Sequence, residues 1–283
     1  MTPGPRGAAA AAPAVPVHVI SLARAAGRRD GITAHLRRLG VGFQLLDAID
    51  GALIPPEERR AMQPAGRDMP PGMLGCYLSH IAVYRLMQDA AAPVALVLED
   101  DARLDPRFVP TLREGLRSLD FDYCLLDCHP ANPQGHVYYD RADGVNIGPG
   151  LTAYATHAPP TGSHAYLITR EAAAQRALHA FPIRRVLDVY SELPYRPRFR
   201  VLVSPPGAGV SRDSHHSLTE ERDHRTGGAM ALLRAVPGYY PLRNLLDPRL
   251  WRLQREVPRL VRRGVLPPHG DWRPLPPGRR IRG

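Results

Sequence analysis

Pro93-Val-Ala-Leu-Val-Leu-Glu-Asp-Asp-Ala102 is the stretch on which the reading of this 283-residue chain turns. Five consecutive apolar residues, 94–98, leave no polar face, so the segment reads as a central strand covered on both sides of a sheet. It ends in three acids. Adjacent carboxylates repel one another unless solvent or a cation screens them. In an open α/β sheet, ligands bind beyond the carboxyl ends of the strands, which makes Glu99, Asp100 and Asp101 candidate functional residues. Side-chain alternation puts Glu99 and Asp101 on one face and Asp100 on the other. Hard carboxylate oxygens at this spacing suit Mg²⁺ or Mn²⁺, ions that commonly bridge to a diphosphate. The plainer alternative is a solvated acidic turn that caps the next helix.

Outward from this strand, apolar runs and helical spacing alternate. Strands are expected over 17–22, 43–46, 121–126, 163–168 and 199–203, the last being the final strand. Helices are expected over 28–40, 73–91, 105–119 and 170–179, with a short one over 186–193. Residues 55–72, rich in Pro, Gly and charge, read as an excursion, and 129–162 as irregular. The pattern predicts one α/β domain with a mostly parallel, Rossmann-like central sheet flanked by helices. Residues 1–15 read as a flexible leader, 16–225 as a catalytic domain and 226–283 as an Arg-rich, helical C-terminal extension.

Three cysteines do not make a disulfide scaffold and fit a reducing, cytoplasmic compartment. Cys124, Cys128 and His129 invite a zinc reading. Four residues of strand, however, separate the two thiols by roughly 13 Å, too far to share one ion. The alanine-rich start is broken by Pro13 and Pro16, and no run reaches the ~20 apolar residues that span a bilayer.

Five blocks, in order over residues 17–215, resemble glycosyltransferase family 25, which includes lipooligosaccharide and collagen galactosyltransferases. They are Val17-His-Val-Ile-Ser-Leu-Ala-Arg-Ala-Ala-Gly-Arg28 with Asp47-Ala-Ile-Asp-Gly51, Gly72-Met-Leu-Gly-Cys-Tyr-Leu-Ser-His-Ile81, Leu98-Glu-Asp-Asp-Ala102, Thr161-Gly-Ser-His-Ala-Tyr-Leu-Ile-Thr-Arg170 and Pro182-Ile-Arg-Arg-Val-Leu-Asp188. The resemblance implies a GT-A fold, a UDP-sugar donor with galactose first, Mn²⁺ or Mg²⁺, and inversion at the sugar carbon. It implies a glycan or glycolipid acceptor of the cell envelope. Charge building on the β-phosphate of a leaving UDP needs neutralising, and a carboxylate-held cation does this as a Lewis acid. Asp101 is then the expected direct ligand, with Glu99 and Asp100 beside it.

The same resemblance assigns roles to other residues. Arg24 and Arg28 would meet the diphosphate or orient the uridine, with surface charge as the alternative. Asp47 and Asp50 would reach the ribose or base, or shape a turn. Ser79 and His80 would contact donor or acceptor, or His80 would be a packed, hydrogen-bonded core residue. Ser21 departs from the family, where Asn is usual, and so bears on the donor contacts near the first strand. An inverting transfer needs a general base opposite UDP. Asp188 is the first candidate, with Glu192 and Asp127 in reserve, against the alternative of a helix N-terminal carboxylate. His215 or His216 would be a third metal ligand, or a solvated loop residue.

The chain carries a net charge of +10, and all 37 of its basic residues are arginine. Residues 234–283 hold 12 arginines against Asp247, Glu256 and Asp271, a net +9 that leaves the rest nearly neutral. Residues 249–263 separate into an apolar side and an arginine side on a helical wheel. Such a helix lies on an anionic membrane surface or docks on the catalytic domain. Pro258 kinks or divides it. A nucleic-acid-binding protein is the competing class, but no aromatic-interleaved basic strand supports it. A metal-dependent phosphohydrolase using the same acids is the other.

Overall fold

A computed structural model describes residues 15–66, 68–126, 138–156, 162–188, 197–202, 210–212 and 273–274. The acid-bearing strand is β3 (Val94–Glu99), buried from Val94 through Leu98 and central as its composition requires. On one edge of it lies β1 (Val17–Ser21), which in turn pairs with β2 (Gln44–Asp47), both in parallel. The helix α1 (Ala26–Arg38) makes the crossover from β1 to β2 and ends at Gly40, whose φ of 63° is a conformation that glycine tolerates best. A short α2 (Pro56–Ala61) lies within the expected excursion, started by Pro55-Pro56 and Glu57-Glu58 in its first turn. The helix α3 (Pro71–Leu86) is earlier at both ends than its apolar spacing suggests.

Beyond the acids, β4 (Ala102–Leu104) pairs antiparallel with β10 (Val210–Arg212) as a separate ribbon. The following helix, α4 (Val109–Glu114), stops at Gly115 with φ 86°, well short of 119. The remaining strands are β5 (Tyr123–Leu125), β6 (Tyr138–Gly148), β7 (Leu151–Thr156), β8 (Ala165–Thr169), β9 (Phe199–Leu202) and β11 (Arg273–Pro274). The helix α5 (Arg170–Leu178) follows β8, with Thr169 as its N-cap accepting a hydrogen bond from the Ala172 amide. The main sheet runs β11-β6-β7-β9-β5-β8-β3-β1-β2.

The α/β class and the helix-flanked central sheet are as expected, but the sheet is mixed rather than mostly parallel. The strand β8 runs antiparallel between β3 and β5, and β7 antiparallel to both β6 and β9. A parallel neighbour needs a helical crossover, and the chain between β5 and β8 carries the β6–β7 hairpin instead. That hairpin overturns the irregular reading of 129–162. Its turn is Pro149-Gly150, with Gly150 at φ 68°, and its flanks alternate, Ile147, Leu151 and Ala153 facing the core. The Gly, Pro and Asn content of the segment concealed that alternation. Nor is 199–203 the final strand, since β10 and β11 follow it; of the short helix expected over 186–193, residues 187–188 are a turn and 189–193 lie outside the described residues.

Two apolar clusters cover the sheet faces. One joins Val17, Val19, Leu96 and Leu98 to Ile32 and Leu36 of α1 and Leu112 of α4. The other joins Ala95, Val97, Tyr123 and Tyr166 to Leu74, Ile81 and Tyr84 of α3 and Ala173 of α5. Glu99 therefore leaves β3 on the α3 side, with Val97, and Asp100 on the α1 side. Among the described residues, no helix is long and apolar enough to cross a membrane. Residues 1–14 of the expected leader, residues 249–263, Asp127, Cys128, His129, Glu192, His215 and His216 lie outside the described residues. Val15, the last residue of that leader, is instead buried in the core and donates its amide to the Leu112 carbonyl at 2.9 Å.

Candidate active site

The acids at the end of β3 divide between the two faces. On the α1 side, Asp100 is buried and its Oδ2 accepts a hydrogen bond from Ser21 Oγ at 2.8 Å, while Oδ1 lies 3.1 Å from Arg28 Nη2. Burial pushes the Asp100 carboxyl above its usual range, with the Asp101 and Glu99 charges adding to that and Ser21 and Arg28 opposing it. Ser21, the departure from the family, is thus the hydroxyl that holds this carboxylate. Arg28 ties the start of α1 to the acid loop.

On the α3 side stands Glu99. Its Oε1 accepts from Ser163 Oγ at 2.8 Å and lies 3.4 Å from His80 Nε2. Burial raises its carboxyl, but His80, Ser163 and His164 outweigh that and hold it at about 2. His80 itself is fully buried; its Nδ1 is 2.7 Å from the Tyr166 hydroxyl, which is 2.7 Å from that of Tyr84. The imidazole also stacks on the Tyr166 ring. His80 is therefore the packed, hydrogen-bonded core residue of the plainer reading, and it borders Glu99.

Cys76, one turn before His80 on α3, completes this side. Its thiol is pushed well above its usual range by burial first, then by the Glu99, Asp188 and Asp101 carboxylates, with a hydrogen bond to Ser163 opposing them. The charges of three carboxylates from two distant segments thus act on one thiol. Asp101 is buried at the loop, and Asp188 is half-buried beyond Leu187. The Asp188 turn is held from below: the buried guanidinium of Arg176 donates to the Leu187 carbonyl at 2.9 Å and lies over the Tyr77 ring. Tyr77 in turn donates to the Ala180 carbonyl at 2.9 Å.

The remaining expected residues form a second group. Ser79 Oγ accepts from the Ile49 amide at 2.8 Å and donates to the Gly75 carbonyl at 2.6 Å, so its hydroxyl pins the 48–51 loop to α3. Gly75 and Gly51 allow that approach: a Cβ on Gly75 would lie 2.4 Å from the Ile49 carbonyl oxygen, and one on Gly51 would overlap the Pro71 carbonyl. Arg24 pairs with Asp50 and Arg29 with Asp47, each at 2.6 Å. Asp50 also accepts from the Ala52 amide, shaping the turn. The structure therefore brings Cys76, His80 and Glu99 together, lets the Asp101 and Asp188 charges act on the same thiol, and pairs Arg24 with Asp50 and the Ser79 hydroxyl with the neighbouring 48–51 loop.

Sequence reasoning missed Cys76, Ser163, His164 and Arg176. The first three stood inside the family-like blocks, so block membership was the available signal. Arg176 gave none, because a helical arginine reads as surface charge until its burial is seen.

Residues 14–132 match the family model described as glycosyltransferase family 25 (LPS biosynthesis protein). Over 193 residues, 63% of this chain and 31% of the relative, the chain is 29% identical to a human protein named inactive glycosyltransferase 25 family member 3. It is 28% identical over 114 residues to the mouse procollagen galactosyltransferase 2, covering 37% of this chain and 18% of that one. This chain spans about a third or less of the length of these relatives. A solved glycosyltransferase involved in glycosylating the major capsid of PBCV-1 overlaps 59% of this chain and 65% of its own, at 11% identity and TM-score 0.30. The resemblance expected from the sequence blocks is thereby met over residues 14–132, and proteins named procollagen galactosyltransferases are among the chain's relatives.

Proposed function

We propose that this chain is an inverting, metal-dependent glycosyltransferase that moves a sugar, galactose first, from a UDP-sugar to a cell-envelope glycan such as lipooligosaccharide. One observation carries the reading. The segment that matches the family 25 model contains the strand that ends in Glu99, Asp100 and Asp101, and the Glu99, Asp101 and Asp188 charges all act on one thiol at that end. A donor with two phosphates needs positive charge, and an acidic strand end favours a cation that would supply it.

The donor set fits Mn²⁺ or Mg²⁺ on Asp101, with Glu99 beside it, because hard cations take carboxylate oxygens. Asp100 is the poorest ligand of the three, since Ser21 and Arg28 engage its two oxygens. A bound cation would neutralise the charge that grows on the departing diphosphate. The chain's own part is proton transfer and orientation. Asp188 accepts the proton of the acceptor hydroxyl, whose oxygen attacks the anomeric carbon as the bond to UDP breaks and its electron pair leaves with UDP. Arg176, through the Leu187 carbonyl, holds that carboxylate in place. Arg24 and Arg28 stand after β1 toward the diphosphate. Residues 249–263 would keep the enzyme at the anionic inner face of the cytoplasmic membrane, a role that liposome flotation with and without 234–283 tests.

The deciding experiment is a panel of UDP-sugars assayed for UDP release with Mn²⁺. Release confined to one donor and abolished by chelator is expected; no turnover together with no UDP binding overturns the reading. Release of inorganic phosphate without sugar transfer would instead make the acids those of a phosphohydrolase. A second reading, a family member that binds UDP without transferring sugar, draws on the engaged Asp100 and on the relative named inactive. UDP binding without turnover of any donor would select it.

A further inference from the structure

We propose that Cys76, His80 and Glu99 form a binding site for a borderline divalent cation of the Zn²⁺ kind, distinct from the hard-cation position at Asp101. The Cys76 sulfur, a ring nitrogen of His80 and a Glu99 carboxylate oxygen all lie within 4.8 Å of one another. The nitrogen is Nε2, because Nδ1 is held by the Tyr166 hydroxyl. Nε2 is buried, makes no hydrogen bond and faces Glu99 Oε1 at 3.4 Å. That distance is long for a hydrogen bond. Two ligands on one tetrahedral zinc, each at ~2.0–2.1 Å, stand about 3.3–3.4 Å apart.

Donor chemistry separates this site from the one at Asp101. Thiolate, imidazole and carboxylate together select zinc over magnesium or manganese, which favour oxygen alone. Three protein ligands leave a fourth position for water or a substrate group. The second shell is also present. The Tyr166 hydroxyl fixes the His80 ring from its far side, and Ser163 orients Glu99. Cys76 and His80 lie four residues apart on α3, one turn, and so share a helix face toward the end of β3. Glu99 belongs to both sites, so an ion held here draws it toward α3 and away from Asp101.

The test uses the full chain, stripped with chelator, kept reduced and titrated with Co²⁺. One equivalent should produce a thiolate-to-cobalt charge-transfer band in the near ultraviolet and strong tetrahedral absorption in the visible, both removed by Zn²⁺. Cys76→Ser should lose the near-ultraviolet band with its circular dichroism unchanged, and Asp101→Asn should keep it. In the unaltered chain, Zn²⁺ should slow alkylation of Cys76 by about 10-fold or more, read by peptide mass spectrometry, which needs no variant to fold. The proposal is overturned by absence of the band, by its survival in Cys76→Ser, by its loss in a folded Asp101→Asn, or by alkylation that Zn²⁺ leaves unchanged. Because these readouts involve no nucleotide, they stand or fall separately from UDP release.

Discussion

The two faces of the sheet receive neighbouring acids from one loop and treat them oppositely. On the α1 face Asp100 has both oxygens engaged by a serine and an arginine, although burial and the adjacent acids still push its carboxyl up. On the α3 face Glu99, Asp101 and Asp188 approach a buried thiol with no arginine among the groups that act on it. The difference teaches which acid is architecture and which are available for a ligand. Asp100, engaged at both oxygens, holds the loop; the carboxylates whose charges act on the Cys76 thiol are the ones a cation from solution would meet. The loop geometry that separates them is the parity of β3, one residue toward each helix layer.

The comparison breaks most sharply at Asp101. If the α3 face holds the chemistry, Asp101→Ala should lower UDP release by about 10³-fold, roughly 4 kcal/mol of transition-state stabilisation, with the thermal midpoint little changed. Asp100→Asn should do far less to UDP release. It leaves Arg28 facing a neutral amide but also removes a buried charge that the fold disfavours, so denaturant unfolding should move by no more than about 1 kcal/mol.

Glu99 sharpens the contrast through pH. Its carboxyl titrates at about 2 in the folded chain against an ordinary 4.5, so folding favours the ionised form. That stabilisation is complete above about 4.5 and is lost as the pH falls toward 2. Glu99→Gln should flatten the acid limb of a stability-against-pH curve in that window, by on the order of 1–2 kcal/mol. Ser79→Ala should cost about 1 kcal/mol, because the Ile49 amide loses its acceptor. Arg24→Ala, at a largely exposed ion pair, should change stability by less than about 0.5 kcal/mol.

Much of the α1-side architecture was legible. The uniform apolar run of β3, the helical spacing of α1 and the glycine after it are local signals, and the structure follows them closely. The antiparallel hairpin β6–β7 was not legible, because its Gly, Pro and Asn residues, which make the bulges and the turn, mask its two-residue period. Nor was the turn at Asp188, whose position depends on Arg176 and Ile183 contacts from elsewhere in the chain.

At the candidate site, the acids stood out by sequence because three charges follow five apolar residues. Their division could be read only in outline. That Asp100 would meet Ser21, 79 residues away, depends on β1 pairing beside β3. Gly75 looked like one residue of a family block; the structure makes it the place where α3 passes within a Cβ's width of the 49–51 backbone.

By itself the sequence determined a buried α/β sheet, an acidic strand end and kinship with family 25, because those rest on runs and motifs within a few residues of one another. Tertiary structure alone decided that the sheet is mixed and that Cys76 and His80 border Glu99. It also decided that the Asp188 charge is felt at the same thiol. Each of these brings together segments tens of residues apart, and only the burial of both sheet faces fixes which side chains then share a face.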